Sequence, residues 1–464
     1  MSRRRTHQTT VPGELPRGPV DDIVWLVLFW VLSRIVMLCL WQALCGFIRN
    51  DVNYYAMSVA GRPVPVLSDL TGVLEEYPAP LVWLLQLLEA PSGGSVDLYV
   101  LLFGLLIAVA DGACCLALRR GESARAAWVW AICGALLGPL LWFRLDIAPA
   151  LCVLGALHWM RRRPALSGVL LALGAGFKLW PALLILPMLG RSRAARHRGA
   201  GFVVTGSALV LVSLLTSGLA RTCSPLGWQS GRGLQIESVW ATPLMLARAL
   251  GGTDVNVAFS GFKAYEVFSP AVAGWRTAAG VSMLVLIALT LVLSTLIVLS
   301  RGEWGTSPDA PPTEETAEHE WAVRLAVLAI IAGWIVVNKT LSPQYMIWLF
   351  GPLAVIASST APRSAPPAQA GRGVPSPQAD QEPPPSPTGR DRAPAARRLV
   401  TLGLVSVALT QLVYPLTYSG LIALTDPSIG ATMLLVLRNL AMVALAVAAW
   451  GEALRTARRP RRTP

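Results

Sequence analysis

The residues able to do chemistry are few, and most interrupt apolar sequence. Arg144 and Asp146 fall in LLWFRLDIAP, Lys178 in GAGFKLWPALL, and Lys339 and Gln344 in VVNKTLSPQY. Asp51 and the Glu75–Glu76 pair follow the first apolar run, while Arg232 and Glu237 lie in GRGLQIESVW. An ionisable group held among apolar residues at membrane depth is costly and marks a functional site by default. The plain alternative is that each charge stops a helix from sinking, or snorkels to the headgroups. Four cations converging with several carboxylates on one face are harder to dismiss that way. Arginine offers a two-pronged fork to a phosphate and lysine a point charge. A carboxylate beside them suits a general base that deprotonates a hydroxyl. One carboxylate suffices there, because a phosphate leaves as an already acidic group, whereas a glycosidase needs a second carboxyl to protonate its leaving group.

That convergence depends on which elements carry the residues. Of the 464 residues, 54% are hydrophobic and only 14% charged, and mean hydropathy is +0.55. Soluble domains carry about 25% charged residues, so the natural solvent of this chain is lipid. The net charge of +13 does not point to nucleic acid. Its arginines cluster beside apolar runs, where they act as topology signals. The first apolar run, Ile23 to Phe47, is too long for a cleavable leader and reads as a retained span.

Placing basic clusters on the cytoplasmic side threads the chain. Arg3, Arg4 and Arg5 start inside, as do Arg119, Arg120 and Arg125, then Arg161 to Arg163, then Arg191 to Arg198. Pro78 to Ala90 covers about 20 Å as a helix, too short for a core of about 30 Å. It is therefore expected to lie along the outer interface. The result is an all-α membrane bundle of twelve spans with both termini cytoplasmic. The expected organisation is a tail at 1–22, a membrane core at 23–358 with outer loops 48–96 and 221–275, and a disordered Pro-rich linker at 359–397. A transmembrane hairpin at 398–452 and a basic tail at 453–464 complete it. The hairpin tips near Phe143 and Lys178 have short arms and dip below the outer headgroups.

Other features read as structural. Arg34 and Asp111 fall at similar depth in the first two spans and are expected to pair. Cys45 and Cys223 both fall near the outer face, within possible reach of a disulfide; the other cysteines show no metal spacing. His7, His158, His197 and His319 occupy terminal, loop or inner-edge positions unsuited to a metal or base. Gly168, Gly174 and Gly176 lie within an apolar span and lack the strand–turn–helix setting of a phosphate loop. With no soluble nucleotide-binding domain evident, a donor carried in the membrane is favoured.

In order and spacing, RNDVNYYAMSVAGRPVP, EYPAP, WFRLDIAPALCVLGAL, LALGAGFKLWPALLILP and NKTLSPQYMIWL resemble glycosyltransferase family 87. These are polyprenyl-phosphate-mannose-dependent α-mannosyltransferases of the C-type membrane fold, and the resemblance covers roughly residues 20 to 360. Two departures stand out. Tyr77-Pro78-Ala79-Pro80 replaces a Tyr-Pro-Pro step, and the GRGLQIESVWATP loop differs from many members, which leaves the acceptor open. The resemblance implies that Asp51 is the catalytic base. It also implies a membrane hexosyltransferase that moves mannose from a polyprenyl-phosphate donor to a lipid or glycan acceptor outside the cytoplasm, with inversion. The donor phosphate is expected on Lys339, Lys178, Arg144 and Arg232, and the sugar or acceptor on Glu76, Tyr77, Asp146, Glu237 and Gln344. No cofactor or metal is demanded, although the acidic loop is able to accept a divalent cation. Membrane lipids, donor and acceptor are the expected partners, at the plasma membrane. The loop bearing Arg232 and Glu237, with its Gly and Trp residues, suits a mobile lid. A secondary transporter or lipid-linked-sugar flippase is the competing expectation, though such sites sit at the midplane between inverted repeats and no repeat is evident.

Overall fold

In a computed structural model, residues 19–62, 74–301, 314–359 and 387–458 are described. The chain is an all-α multi-pass membrane protein with one small sheet. Its helices are α1 (Pro19–Leu44), α2 (Asn50–Val59), α3 (Ala79–Ser92), α4 (Val96–Gly121), α5 (Ala124–Leu137), α6 (Ile147–Trp159), α7 (Pro164–Phe177), α8 (Arg193–Gly231), α9 (Thr242–Ala249), α10 (Val272–Arg301), α11 (Glu314–Val337), α12 (Ile347–Ser358), α13 (Pro387–Gln411), α14 (Tyr418–Ile422) and α15 (Ile429–Arg458).

Local chemistry explains many boundaries. The hydroxyls of Ser95, Ser123 and Ser192 accept from the backbone N–H groups of Leu98, Ala126 and Ala195 and cap α4, α5 and α8. Gly93, at φ 55°, ends α3 in the left-handed region. Pro164 opens α7, where its missing N–H costs nothing.

Among the described residues, eight helices are long and apolar enough to cross a membrane. Every expected span coincides with a helical segment, yet four are short. These are α6, α7, α12 and the 3₁₀ segment Trp180–Met188. Pro181 and Pro187 lack the N–H an α-helix needs, which accounts for the tighter, broken geometry of that segment. The twelve spans expected, with short arms at the hairpins near Phe143 and Lys178, are thus eight long helices plus four short segments among the described residues.

Helices α11 and α12 are buried along most of their length and form the centre, packed against α15, α10, α5 and α6. The α7–α8 crossing rests on glycine. A Cβ at Gly168 would lie 1.9 Å from the Arg198 carbonyl oxygen, and one at Gly201 2.3 Å from that of Ala165. Small residues that let backbones approach drive such packing in lipid, so Gly168 serves helix contact.

Three further expectations change. The loop after α8 departs from the all-α expectation: β1 (Leu234–Gln235), β2 (Asn256–Phe259) and β3 (Tyr265–Phe268) form an antiparallel sheet in the order β1-β3-β2. With Leu244, Met245, Val413 and Leu435, the sheet residues Leu234, Val257 and Val267 make a separate hydrophobic core. The loop is therefore a packed subdomain, not a free lid. Helix α8 runs on to Gly231, past the expected end of its span, and bends at Gly218, where φ is 75°. Helix α13 starts at Pro387, ten residues inside the linker expected to end at 397; Pro at the first position and the helix-forming Ala and Arg that follow explain it. The rest of that linker, 360–386, and the tail at 1–18 lie outside the described residues. Cys45 and Cys223 are both free thiols, the first buried and the second exposed, so no disulfide joins them.

Candidate functional site

The first turn of α2 presents Asp51. Its Oδ2 lies 3.3 Å from Nε of Arg144, with the Arg144 side chain 5% exposed and that of Asp51 45%. Arg144 follows the 3₁₀ turn Gly138–Phe143. Its Nη1 donates to the carbonyls of Ile48 (2.9 Å) and Phe143 (2.8 Å), and its Nη2 to the Tyr414 hydroxyl (3.3 Å). One guanidinium thus holds the approach to α2 by hydrogen bonds and faces the carboxylate on it as an ion pair, its Nε making no hydrogen bond.

Asp146, two residues on, is buried. Its Oδ1 accepts from Nζ of Lys178 and from Nε1 of Trp348, both at 2.7 Å. The Lys178 ammonium also lies 5.5 Å from the Tyr345 ring and 5.6 Å from that of Trp348, within reach of the attractive ring face. The short arms α6 and α7 therefore end in a satisfied ion pair capped by aromatic rings.

The EYPAP step is pinned from α8. Arg221 donates to the carbonyls of Leu74 and Tyr77, and Ser224 to that of Glu75. Tyr77 and Tyr55 share a hydroxyl hydrogen bond of 3.0 Å, and burial pushes both phenols well above their usual range. Glu76 accepts from the Tyr54 hydroxyl (2.9 Å) and from Nζ of Lys263 (3.0 Å).

Lys263 sits at the β2–β3 turn at φ 59°. It also donates to the Tyr54 hydroxyl and lies over the Tyr54 and Trp228 rings, at 3.9 and 5.0 Å. Burial lowers its pKa while Glu76, then Glu75 and Asp51, raise it. That places Lys263 within electrostatic reach of Asp51.

Glu237 is buried against Arg438 of α15, whose Nη2 donates to the Glu237 carbonyl (2.9 Å) and to Oε2 (3.3 Å). Burial raises the Glu237 pKa to about 7, against the pull of Arg438 and then Arg144. Nε and Nη1 of Arg438 have no hydrogen-bond partner among the described residues. Tyr414 feels both Asp51 and Glu237, so the two carboxylates belong to one electrostatic neighbourhood.

Asp51, Glu76, Tyr77, Arg144, Asp146, Lys178 and Glu237 are thus brought to one end of the bundle. Arg232 and Lys339 stand beside them as a second basic group. Nζ of Lys339 donates to the carbonyls of Arg232 (2.7 Å) and Ser230 (3.1 Å), and the charged neighbours it feels are Arg276, Arg232 and Glu266. Gln344 is half-buried in the turn Pro343–Met346.

Lys263, Tyr54, Tyr55, Trp348, Tyr414 and Arg438 were missed. Lys263 carried a signal, being one of three lysines in an arginine-rich chain. Tyr414 and Arg438 belong to the C-terminal segment, so the expected core at 23–358 does not complete the site alone. Among the described residues no group of three or more His, Cys, Asp or Glu side chains is placed to hold a metal ion. Compared with protein-family models, curated proteins and solved structures, the chain matches none.

Proposed function

We propose that the protein is a membrane glycosyltransferase that moves a hexose, mannose by resemblance, from a polyprenyl-phosphate donor to a hydroxyl of a lipid or glycan acceptor. The observation that carries this reading is the Asp51–Arg144 arrangement, a half-exposed carboxylate paired with a buried cation beside a second cation–carboxylate pair. Asp51 takes the proton of the acceptor hydroxyl, whose oxygen attacks the anomeric carbon. The bond from that carbon to the phosphate oxygen breaks, and the phosphate leaves with the electron pair towards Arg144 and Lys178. Single displacement inverts the anomeric centre.

The arginine clusters at 119–125 and 161–163 fall at the opposite ends of α4 and α6 from this site. Under the positive-inside rule that supports a site facing away from the cytoplasm at the plasma membrane. A transporter would need an ionisable site near the midplane. One polar pair buried within the spans, Arg34 and Asp111, is closed on itself and on two tryptophans.

The test is transfer from radiolabelled polyprenyl-phosphate mannose in membranes carrying the wild type or Asp51→Asn. Loss of transfer by roughly 100-fold or more, with the variant still folded, is expected. Equal transfer by the variant removes Asp51 from the mechanism, and movement of label without a new glycosidic bond favours the transporter.

A further inference from the structure

Four aromatic rings run from the β2–β3 hairpin to the Asp51 centre. Phe259 meets Tyr265 across the strand pair with ring centroids 5.3 Å apart, Tyr265 meets Tyr418 of α14 at 6.0 Å, and Tyr418 meets Tyr414 at 4.9 Å. All three contacts are edge-to-face, at 69°, 72° and 84°. In such a pair the ring that offers its edge keeps its own faces for another partner. The inner end is fixed, because the Tyr414 hydroxyl accepts from Arg144 at 3.3 Å and Arg144 faces Asp51 at 3.3 Å. The outer end is open: Phe259 is 47% exposed, and Tyr265, Tyr418 and Tyr414 are half-buried.

Packing alone does not account for this run. Three of the four rings are phenols, and a tyrosine hydroxyl taken from water normally finds a partner. Those of Tyr265 and Tyr418 are unpaired among the described residues. Glu237 and Arg438 lie within electrostatic reach of Tyr418. The Arg438 side chain is fully buried, yet its Nε and Nη1 have no hydrogen-bond partner among the described residues. Its charge is balanced by Glu237 at 3.3 Å. Aromatic faces thus stand beside spare hydrogen-bonding groups in a setting with no excess charge.

That setting selects the ligand. An anion finds no surplus cation along the rings, and a lipid tail has no use for phenol hydroxyls. A sugar chain matches both features. Each unit has an apolar C–H face, drawn to the negative face of an aromatic ring, inside a rim of hydroxyls that donate and accept. We infer that Phe259, Tyr265, Tyr418 and Tyr414 line a subsite for an oligosaccharide of several units, laid from the hairpin towards Asp51 with its reacting end nearest Tyr414. The acceptor is then a glycan gripped beyond the sugar that reacts. Its role as acceptor rests on the reading of Asp51 as a transferase centre; its binding does not.

The test is calorimetric binding to the full chain in phosphatidylcholine nanodiscs, with no donor present. The probes are linear tetrasaccharides of mannose, glucose and arabinose, each beside its methyl monosaccharide. At least one tetrasaccharide is expected to bind roughly tenfold more tightly than its monosaccharide. Phe259→Ala takes away an exposed ring, with little at stake for folding, and should weaken that tetrasaccharide roughly three- to tenfold. Tyr418→Phe keeps the ring and loses only the hydroxyl, and should weaken it by a similar factor. Phe268 is 48% exposed but lies on the opposite face of β3 from Tyr265, so Phe268→Ala should bind as the wild type does. The subsite is overturned if no tetrasaccharide outbinds its monosaccharide, or if Phe259→Ala and Tyr418→Phe both bind undiminished. Because donor is absent, these results decide the subsite even where Asp51→Asn keeps its transfer, an outcome that strikes the catalytic reading alone.

Discussion

Arg144 and Asp51 meet at 3.3 Å with opposite exposures, the guanidinium buried and the carboxylate half open to its surroundings. A cation so enclosed braces the scaffold in addition to the role proposed for it towards the phosphate, while the carboxylate beside it keeps a free side. The two variants should therefore separate. Asp51→Asn is expected to change stability by no more than about 1 kcal/mol, as for a half-exposed pair, while abolishing transfer. Arg144→Met also strips the carbonyls of Ile48 and Phe143 of their donor, and should cost roughly 2–3 kcal/mol. Thermal unfolding in detergent compared with the transfer assay checks both; equal destabilisation would contradict the division.

Glu237 and Glu122 give opposite pH signatures. Burial lifts the Glu237 pKa from 4.5 to about 7. Its contribution to stability is fully present below about 4.5 and is lost as pH rises through about 7. At Glu122, burial works upward but is outweighed by Arg324 and then His158, leaving a pKa of about 2. That contribution is present above about 4.5 and is lost as pH falls through about 2. Melting temperature followed from pH 3 to pH 8 should fall at both ends. Glu237→Gln should flatten the decline between pH 4.5 and 7 and leave the acid limb untouched; a decline of unchanged slope would exclude Glu237 as its source.

Lys263 ties the hairpin to Glu76, 187 residues away in sequence, and to Tyr54, 209 residues away. Lys263→Met and Glu76→Gln should each expose the segment 252–264 to limited proteolysis, at a cost of about 1 kcal/mol. The double variant should behave like either single one, because both remove the same contact. Additive effects would show that the two residues act separately.

Asp111 accepts from Nε and Nη2 of Arg34 and from the indoles of Trp30 and Trp130, all at 2.7–3.0 Å. Losing one partner of a buried pair leaves a stranded charge, so Arg34→Met and Asp111→Asn should each destabilise by roughly 3–5 kcal/mol. The pair Arg34→Met with Asp111→Asn should cost less than the sum. Protein that folds should keep its transfer activity, and selective loss of transfer at normal stability would give this pair a role in the reaction.

Much of this was legible in the sequence. Apolar length and arginine clusters placed each expected span on a helical segment, though not the shorter α2, α9 and α14, and matched depth in two spans identified the Arg34–Asp111 pair. Arg144, Asp146 and Lys178 were singled out because a charge inside apolar sequence is conspicuous, and Asp51 by the resemblance at the start of the first outer loop. Contacts made through space were not. Arg438 reaches Glu237 across 201 residues, and nothing local in the α15 sequence announces a partner. The sheet escaped because strands of two to four residues show no usable alternation, and their pairing is set by the core beneath them. The short arms were visible as short runs, but the 3₁₀ geometry of Trp180–Met188 depends on proline placement and on packing against α10 and α11.

Those arms have a consequence for the surrounding bilayer. Helices of 13 and 14 residues reach about 20 Å, roughly 10 Å less than an average hydrocarbon layer. Such hydrophobic mismatch is relieved when the lipid film pinches inward. On the proposed function, a headgroup riding such a dimple would descend towards Asp146 and Lys178 while its chains stayed in oil, so the site would be reached by sinking the membrane rather than by lifting a lipid from it.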